Sequence, residues 1–173
     1  VAIVLALGAA SVAFLAWPAK ALELGLGLVL LVMAIMAGRV VPMFTNNAVP
    51  GARATHKRWL EVAALASLVV LLLASLFMEN RVGAIVAFVA AGLHAARLAL
   101  WKPWKTLRKP ILWILHVAYA WIVVHLALRG LAGFGVVAPA LATHALTAGA
   151  IGALTLGMMT RTARGHTGRM LVA

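Results

Sequence analysis

Six long apolar stretches, separated by short polar joints, are the feature that most restricts how this chain can fold. A helix crosses a bilayer core of about 30 Å with about 20 apolar residues. The chain is 65% hydrophobic with a mean hydropathy of +1.08, whereas a soluble domain is roughly 45–50% apolar. We therefore predict an all-α fold, a polytopic transmembrane helix bundle in the lipid bilayer that forms one unit over residues 1–173. The predicted spans are about 1–17, 22–44, 59–78, 82–100, 110–129 and 139–160.

The joints are short, so consecutive spans should be antiparallel neighbours. Ten Lys and Arg residues lie in alternate joints, which form one basic side of the bundle. The basic loops are 45–58, 101–109 and 161–169. The other side has only Lys20, Arg81 and Arg129. Because cytoplasmic loops are enriched in Lys and Arg, the basic loops are predicted to be cytoplasmic, with Trp101 and Trp104 at the headgroup level.

The absence of cysteine and the scarcity of acidic residues exclude several classes of protein. Without cysteine the chain forms no disulfide, no thiolate metal site and no C-x-x-C-H haem attachment. Its only acids are Glu23, Glu61 and Glu79, too few to predict a paired-carboxylate, EF-hand or Walker-type magnesium site. The net charge is +12, but nucleic acid is not an expected partner, because the basic residues form short clusters between apolar runs.

Four histidines lie inside the predicted spans, at two depths. His94 is six residues before the end of its span, and His116 is six residues after the start of the next. At 1.5 Å per residue both lie about 9 Å from the basic boundary, so they can meet across the hairpin. His125 and His144 lie about 6–8 Å from the other boundary. The predicted arrangement is two pairs of imidazoles in two layers.

These histidines have two interpretations. They are either metal or haem ligands, or structural groups that hydrogen-bond across helices. Ionisable side chains in a bilayer usually face the bundle interior and mark a functional site, so the four together favour function. His116 and His125 are nine residues apart, which at 100° per residue places them on opposite helix faces. They therefore belong to separate sites, or only one layer is a site.

Three further polar residues are candidates for ligand contacts. Arg97 is three residues from His94 and Tyr119 is three residues from His116, so each shares a face with its histidine. Arg97 either pairs with an anion such as a haem propionate or snorkels to the headgroups. Tyr119 either donates a hydrogen bond to a ligand or only packs. Arg39, near a proline, either bonds a freed carbonyl, binds an anion or snorkels.

The last predicted span carries small residues at every fourth position, which predicts close approach of another backbone and a central place for this helix. The small residues are Ala145, Gly149, Ala153 and Gly157. Met158 and Met159 follow them. Their thioethers either bind Cu(I) or, more commonly for methionine, fill gaps in the packing.

Several segments carry a resemblance to a known family. They are GRVVPMFTNN at 38–47, HKRWLE at 56–61, LHAARLALWKPW at 93–104, WILHVAYAWI at 113–122 and HALTAGAIGALTLGMMTRTARGHTGR at 144–169. Together they resemble the NnrS family of bacterial polytopic membrane proteins over essentially the whole chain. The last segment is the most specific, since it combines the small-residue helix, the double methionine and GHTGR.

The resemblance implies an inner-membrane protein that holds haem b and copper and acts in tolerance of nitric oxide and nitrosative stress. NnrS proteins have about twelve spans, so this chain, which lacks an initiator Met, is expected to be a fragment of a longer protein. The positions matching the family's motifs are Arg39, Pro42, His94, His116, Tyr119, His144, Arg161, His166 and Arg169.

The candidate cofactor-binding residues, from depth, neighbours and resemblance together, are His94, His116, His144, His125, Tyr119, Arg97, Arg39 and His166. The candidate metal ligands are His94, His116 and His144. Position alone gives the loop histidines His56 and His166 no role. The resemblance places His166 with Arg39 at one basic-side site, whose inner wall would be His94 and His116.

Three functions remain open at this point. The first is a haem and copper protein that binds or processes nitric oxide. The second is a proton- or anion-coupled transporter that uses the intramembrane histidines and Arg97. The third is a non-catalytic partner of a respiratory or denitrification complex. The residues do not decide whether the protein is an enzyme.

Overall fold

The computed structural model of the chain describes residues 1–78 and 80–166, without the side chains of residues 19 and 164–166. The described chain is all-helical, as predicted. Its helices are α1 (Ala2–Ala13), α2 (Pro18–Ala48), α3 (Arg58–Phe77), α4 (Asn80–Leu100), α5 (Pro110–Gly133), α6 (Pro139–His144) and α7 (Ala153–His166). A short 3₁₀ turn, Pro103–Thr106, joins α4 to α5, and a π-helical segment, Ala145–Gly152, joins α6 to α7.

Proline sets the start of three helices. Pro18, Pro110 and Pro139 each occupy the first turn of α2, α5 and α6. This position suits proline, because the ring holds φ near its helical value and the missing N–H would have no helical partner there. Pro42 is different, since α2 continues through it to Ala48, past the predicted end at 44.

Five helical segments are long and apolar enough to cross a membrane. They are Lys20–Ala48, Arg58–Phe77, Asn80–Leu100, Pro110–Gly133 and Pro139–Ala163. They correspond to the last five predicted spans, so the chain is a multi-pass membrane protein. The first predicted span contains α1, a helix of 12 residues. At 1.5 Å per residue α1 is about 18 Å long, shorter than the bilayer core.

The last span is not one regular α-helix. The π-helical segment of eight residues, which begins directly after His144, widens the turns between α6 and α7. A Cβ added at Gly149 would lie 2.6 Å from the Trp121 ring, and one at Gly157 would lie 2.9 Å from Leu115. The predicted close approach is therefore confirmed, and the neighbour is α5.

α5 is the central helix of the bundle. It contacts α2, α4, α6, the π-helical segment and α7. Its side chains Leu115, Ile122 and Leu126 are fully buried. The prediction that the last span would be central was wrong, because small residues allow close contact on one face without surrounding the helix on all sides.

The loops on the basic side fold onto one another. The Asn46 side chain bonds both the N–H and the C=O of Ala54, at 2.8 and 2.9 Å. Lys109 donates to the Ala48 carbonyl at 2.5 Å, and Lys105 donates to the Gly51 carbonyl at 2.9 Å. We call this side, with loops 49–57 and 101–109, the basic end, and the other side the opposite end.

Candidate functional site

His94 belongs to a buried chain of hydrogen bonds between α3, α4 and α5. Its Nδ1 lies 2.6 Å from the Tyr119 hydroxyl, and its Nε2 lies 3.1 Å from the Ala64 carbonyl. A carbonyl only accepts, so Nε2 carries the proton and Nδ1 accepts from Tyr119. Both ring nitrogens of His94 are therefore engaged within the protein.

Arg97 extends this chain to a glutamate that sequence reasoning did not connect with it. Its Nη1 donates to the Tyr119 hydroxyl and to the Ala34 carbonyl, each at 2.9 Å. Its Nε donates to Glu61 at 2.8 Å, and its Nη2 bonds the second Glu61 oxygen. Arg97 is only 1% exposed. It neither snorkels nor is free for a propionate, because Glu61, 36 residues earlier, already neutralises it.

Trp101 closes this cluster from the side of the hairpin. It is fully buried, with its ring centroid 4.5 Å from that of Tyr119 and 5.3 Å from the Arg97 guanidinium carbon. Trp101 directly follows the end of α4 and packs inside the protein, whereas Trp104 is exposed. The buried guanidinium attracts the electron-rich ring faces, and the position of both indoles at the headgroup level stays a prediction.

His116 bonds α2 rather than His94. Its Nδ1 donates to the Leu112 carbonyl at 3.1 Å, one turn back on α5. Its Nε2 lies 3.3 Å from Thr45 Oγ1, but the Thr45 hydroxyl donates its proton to the Val41 carbonyl at 2.9 Å, so Nε2 keeps its lone pair. His94 and His116 thus have separate partners, and the predicted imidazole pair is replaced by two independent sites of contact.

His125 and His144 do not form a facing pair either. His144 is exposed at the end of α6. His125 is only 4% exposed, and its Nδ1 donates to the Ala142 carbonyl at 2.7 Å. Its Nε2 is buried and has no hydrogen-bond partner among the described residues. This nitrogen therefore keeps a free lone pair, the form of histidine that binds metals.

His125 lines a cavity of about 250 Å³ at the opposite end of the bundle, together with residues of α2, α5 and α6. The Glu23–Arg129 ion pair forms part of its wall. The same ion pair also lines a second cavity of about 180 Å³, with Ser75 and Asn80. Glu23 is 40% exposed, so this pair is held less firmly than the buried pair of Arg97 and Glu61.

The other predicted residues lie at the basic end. Arg39 is exposed and lines a cavity of about 400 Å³. Arg161 is buried, with its guanidinium carbon 3.9 Å from the Phe44 ring centroid. His166 is the last residue of α7, but its side chain lies outside the described residues, as does all of Arg169.

Comparison with models of known protein families shows which family the chain belongs to. A family model described as NnrS protein matches residues 1–173. The chain belongs to the NnrS family. The resemblance found in the sequence motifs is thereby confirmed over the full length. No curated protein and no solved structure matches this NnrS chain.

The haem that the NnrS resemblance implies needs an imidazole nitrogen that is not already hydrogen-bonded. Nε2 of His125 meets this requirement. Nε2 of His116 has one long contact to Thr45, and both nitrogens of His94 are engaged. Within the NnrS chain, His125 therefore fits a haem better than His94 and, because it borders a cavity of about 250 Å³, better than His116. Their role as ligands stays a prediction.

The structure offers a different set of donor atoms for copper. In the part of the chain that the structure describes, no group of three or more His, Cys, Asp or Glu could hold a metal ion. Three methionines, Met33, Met36 and Met158, instead line one apolar cavity of about 220 Å³ between α2 and α7. Thioethers are soft ligands that suit Cu(I). Met159 is exposed and does not line this cavity.

Proposed function

We propose that this NnrS chain holds haem b in the membrane and acts in the bacterial response to nitric oxide and nitrosative stress. Family membership supports the role, and one observation carries the site. The His125 imidazole is buried, fixed by one hydrogen bond and left with an unpartnered Nε2 beside a cavity. A histidine ligand whose other nitrogen bonds a carbonyl is the usual arrangement at protein metal centres.

The residues around His125 have separate tasks in this proposal. The Ala142 carbonyl fixes the tautomer and the ring orientation. Arg129 is the charged partner for a haem propionate, because its present partner Glu23 is partly exposed and the pair is open to exchange. Apolar side chains of α2 and the last span, including Leu26 and Leu146, exclude water from the ring.

If haem is bound, His125 would hold its iron, and the haem would supply the iron chemistry that binds nitric oxide. The chain's own part is to hold the imidazole and to keep the surroundings dry and apolar. We also propose that the basic end faces the cytoplasm of the bacterial inner membrane. The His125 cavity then lies toward the far side of that membrane.

For copper we propose the thioethers of Met33, Met36 and Met158. Met33 and Met36 are three residues apart on α2, so they share one helix face. Met158 lines the same cavity from α7. This site shares no lining residue with the His125 cavity and lies at a different height along α2, so iron and copper would be held independently.

The test is a reduced-minus-oxidised visible spectrum of the protein purified from membranes, with and without nitric oxide, beside iron and copper analysis. We expect haem bands that shift with nitric oxide, and loss of the haem in His125→Gly because the axial ligand is gone. Added imidazole should restore the bands in this variant by entering the space left by the ring. The matched control is His144→Ala, which should keep its haem because His144 is exposed.

Two outcomes would contradict the proposal. Full haem content in His125→Gly, with loss in His94→Ala or His116→Ala, would move the site to the basic half of the bundle. A colourless, iron-free wild-type protein would remove haem altogether. It would favour a proton- or anion-coupled transporter, for which α2 with its internal Pro42 and the π-helical segment of the last span offer irregular backbone within spans.

A further inference from the structure

A cavity of about 400 Å³ with polar lining residues lies at the basic end. It lies between the last turns of α2, loop 49–57 and the start of α3. Its lining consists of Gly38, Arg39, Pro42, Met43, Asn46, Ala54, His56 and Glu61. We call it the basic-end cavity.

The acceptor side chains of the basic-end cavity, Glu61 and Asn46, are already in use. Both carboxylate oxygens of Glu61 bond the buried Arg97. Both ends of the Asn46 amide bond the backbone of Ala54. These two side chains therefore form the wall and keep the loop in place. They offer an incoming ligand little negative charge.

The hydrogen-bond donors of the cavity, by contrast, are free. Arg39 and His56 are exposed, and neither forms a hydrogen bond or an ion pair with residues 1–78 or 80–166. Arg39 comes from α2 and His56 from the loop before α3, so the two approach the cavity from different elements. With the Glu61 charge neutralised by Arg97, the cavity has a positive character.

We infer that the basic-end cavity binds a phosphate-class oxyanion. Arg39 provides a fork of N–H donors that matches two oxygens of a phosphate, and His56 provides one further ring donor. Two sources carry this group, the headgroup of an anionic phospholipid and free inorganic phosphate. Met43, which lines the cavity, is exposed and is a large apolar side chain of the kind that contacts lipid at a membrane boundary.

This inference does not depend on the haem. The basic-end cavity and the His125 cavity share no lining residue and lie at opposite ends of α2. Arg39 and His56 also have no internal partner to lose, so replacing them should leave the fold intact.

The experiment measures the thermal unfolding midpoint, Tm, of the detergent-purified protein against three additives. They are phosphatidylglycerol, phosphatidylcholine and inorganic phosphate. A ligand that binds only the folded protein raises the Tm, and the rise grows with the logarithm of the ratio of ligand concentration to Kd. We expect Arg39→Gln and His56→Gln to weaken the apparent affinity for the stabilising additive about tenfold or more, as for loss of a charge-assisted hydrogen bond.

The matched control is Lys57→Gln, which removes an exposed positive charge from the same loop without touching the cavity lining. It should keep the wild-type affinity. Stabilisation by phosphatidylglycerol but not by phosphatidylcholine or phosphate would identify a lipid headgroup, and stabilisation by phosphate alone would identify the free ion. The proposed site would be contradicted if no additive stabilised the protein. It would also be contradicted if Lys57→Gln lost as much affinity for the additive as Arg39→Gln and His56→Gln.

Discussion

The three buried histidines differ in what their second ring nitrogen touches. His94 donates to a carbonyl and accepts from a tyrosine, so its hydrogen-bond capacity is complete. His116 has one firm bond and one long contact to Thr45. His125 has one firm bond and a bare nitrogen. The two histidines of each predicted layer are expected at similar depths in the membrane. They differ in whether a ring nitrogen is free to bind a ligand.

Glu61 and Arg97 allow a residue-scale prediction. Glu61→Gln should destabilise the protein by about 2–3 kcal/mol, because it leaves the Arg97 charge buried without its partner. This is below the about 3–5 kcal/mol typical of a broken buried pair, since Glu61 is 21% exposed and partly screened. The measurement is unfolding of the haem-free protein in detergent.

Glu23→Gln is the control for this measurement. The same chemical change there breaks the more exposed pair with Arg129 and should cost at most about 1 kcal/mol. Equal destabilisation by Glu61→Gln and Glu23→Gln would contradict the prediction that burial of the Glu61–Arg97 pair makes its loss more costly.

At the scale of helices, the contact between α2 and α4 depends on one glycine. A Cβ at Gly38 would lie 1.7 Å from Arg97 Nη2 and 2.7 Å from its Cζ. The guanidinium cannot move aside without losing its bonds to Ala34, Tyr119 and Glu61. The absence of a side chain at this position is thus a condition for the buried ion pair.

Gly38→Ala should therefore destabilise the bundle by about 1–3 kcal/mol, the cost of forcing extra volume into a packed interior. Gly25→Ala in the same helix is the matched comparison, because no described atom lies within 4 Å of its added Cβ. That change should be neutral or stabilise by up to about 1 kcal/mol through helix propensity. The measurement is the Tm of both variants. Equal Tm values for Gly38→Ala and Gly25→Ala would contradict the close packing of Gly38 against the Arg97 guanidinium.

For the whole molecule, the charge asymmetry predicts orientation in the membrane. The chain contains no cysteine, so single cysteines introduced into it can report which side is accessible. Lys57→Cys at the basic end should react with a membrane-impermeant maleimide only when the cytoplasmic side is exposed, as in inverted vesicles. Val136→Cys, an exposed position at the opposite end, should react in intact cells or spheroplasts. The reverse pattern would contradict the cytoplasmic assignment of the basic loops.

Most of the fold could be predicted from the sequence, but less of the site. The five long spans and the small-residue contact of the last span with a neighbour were found from sequence. The structure does not bring the histidines together in the predicted pairs, and the headgroup position of Trp101 stays a prediction. Glu61 was noticed only as one of three acids. Nothing in its spacing points to Arg97, because the two are 36 residues apart on different helices.

By itself, the sequence determined that this NnrS chain crosses a membrane as a helical bundle. Length and hydrophobicity of a segment are local properties, and in a bilayer they suffice, since each backbone polar group must be satisfied inside its own helix. Only the tertiary structure decided which polar atoms are left free. Apart from Leu112, one turn from His116, the partners of His94, His116 and Arg97 come from residues 22 to 71 positions away in the chain, and such contacts are set by how the helices pack.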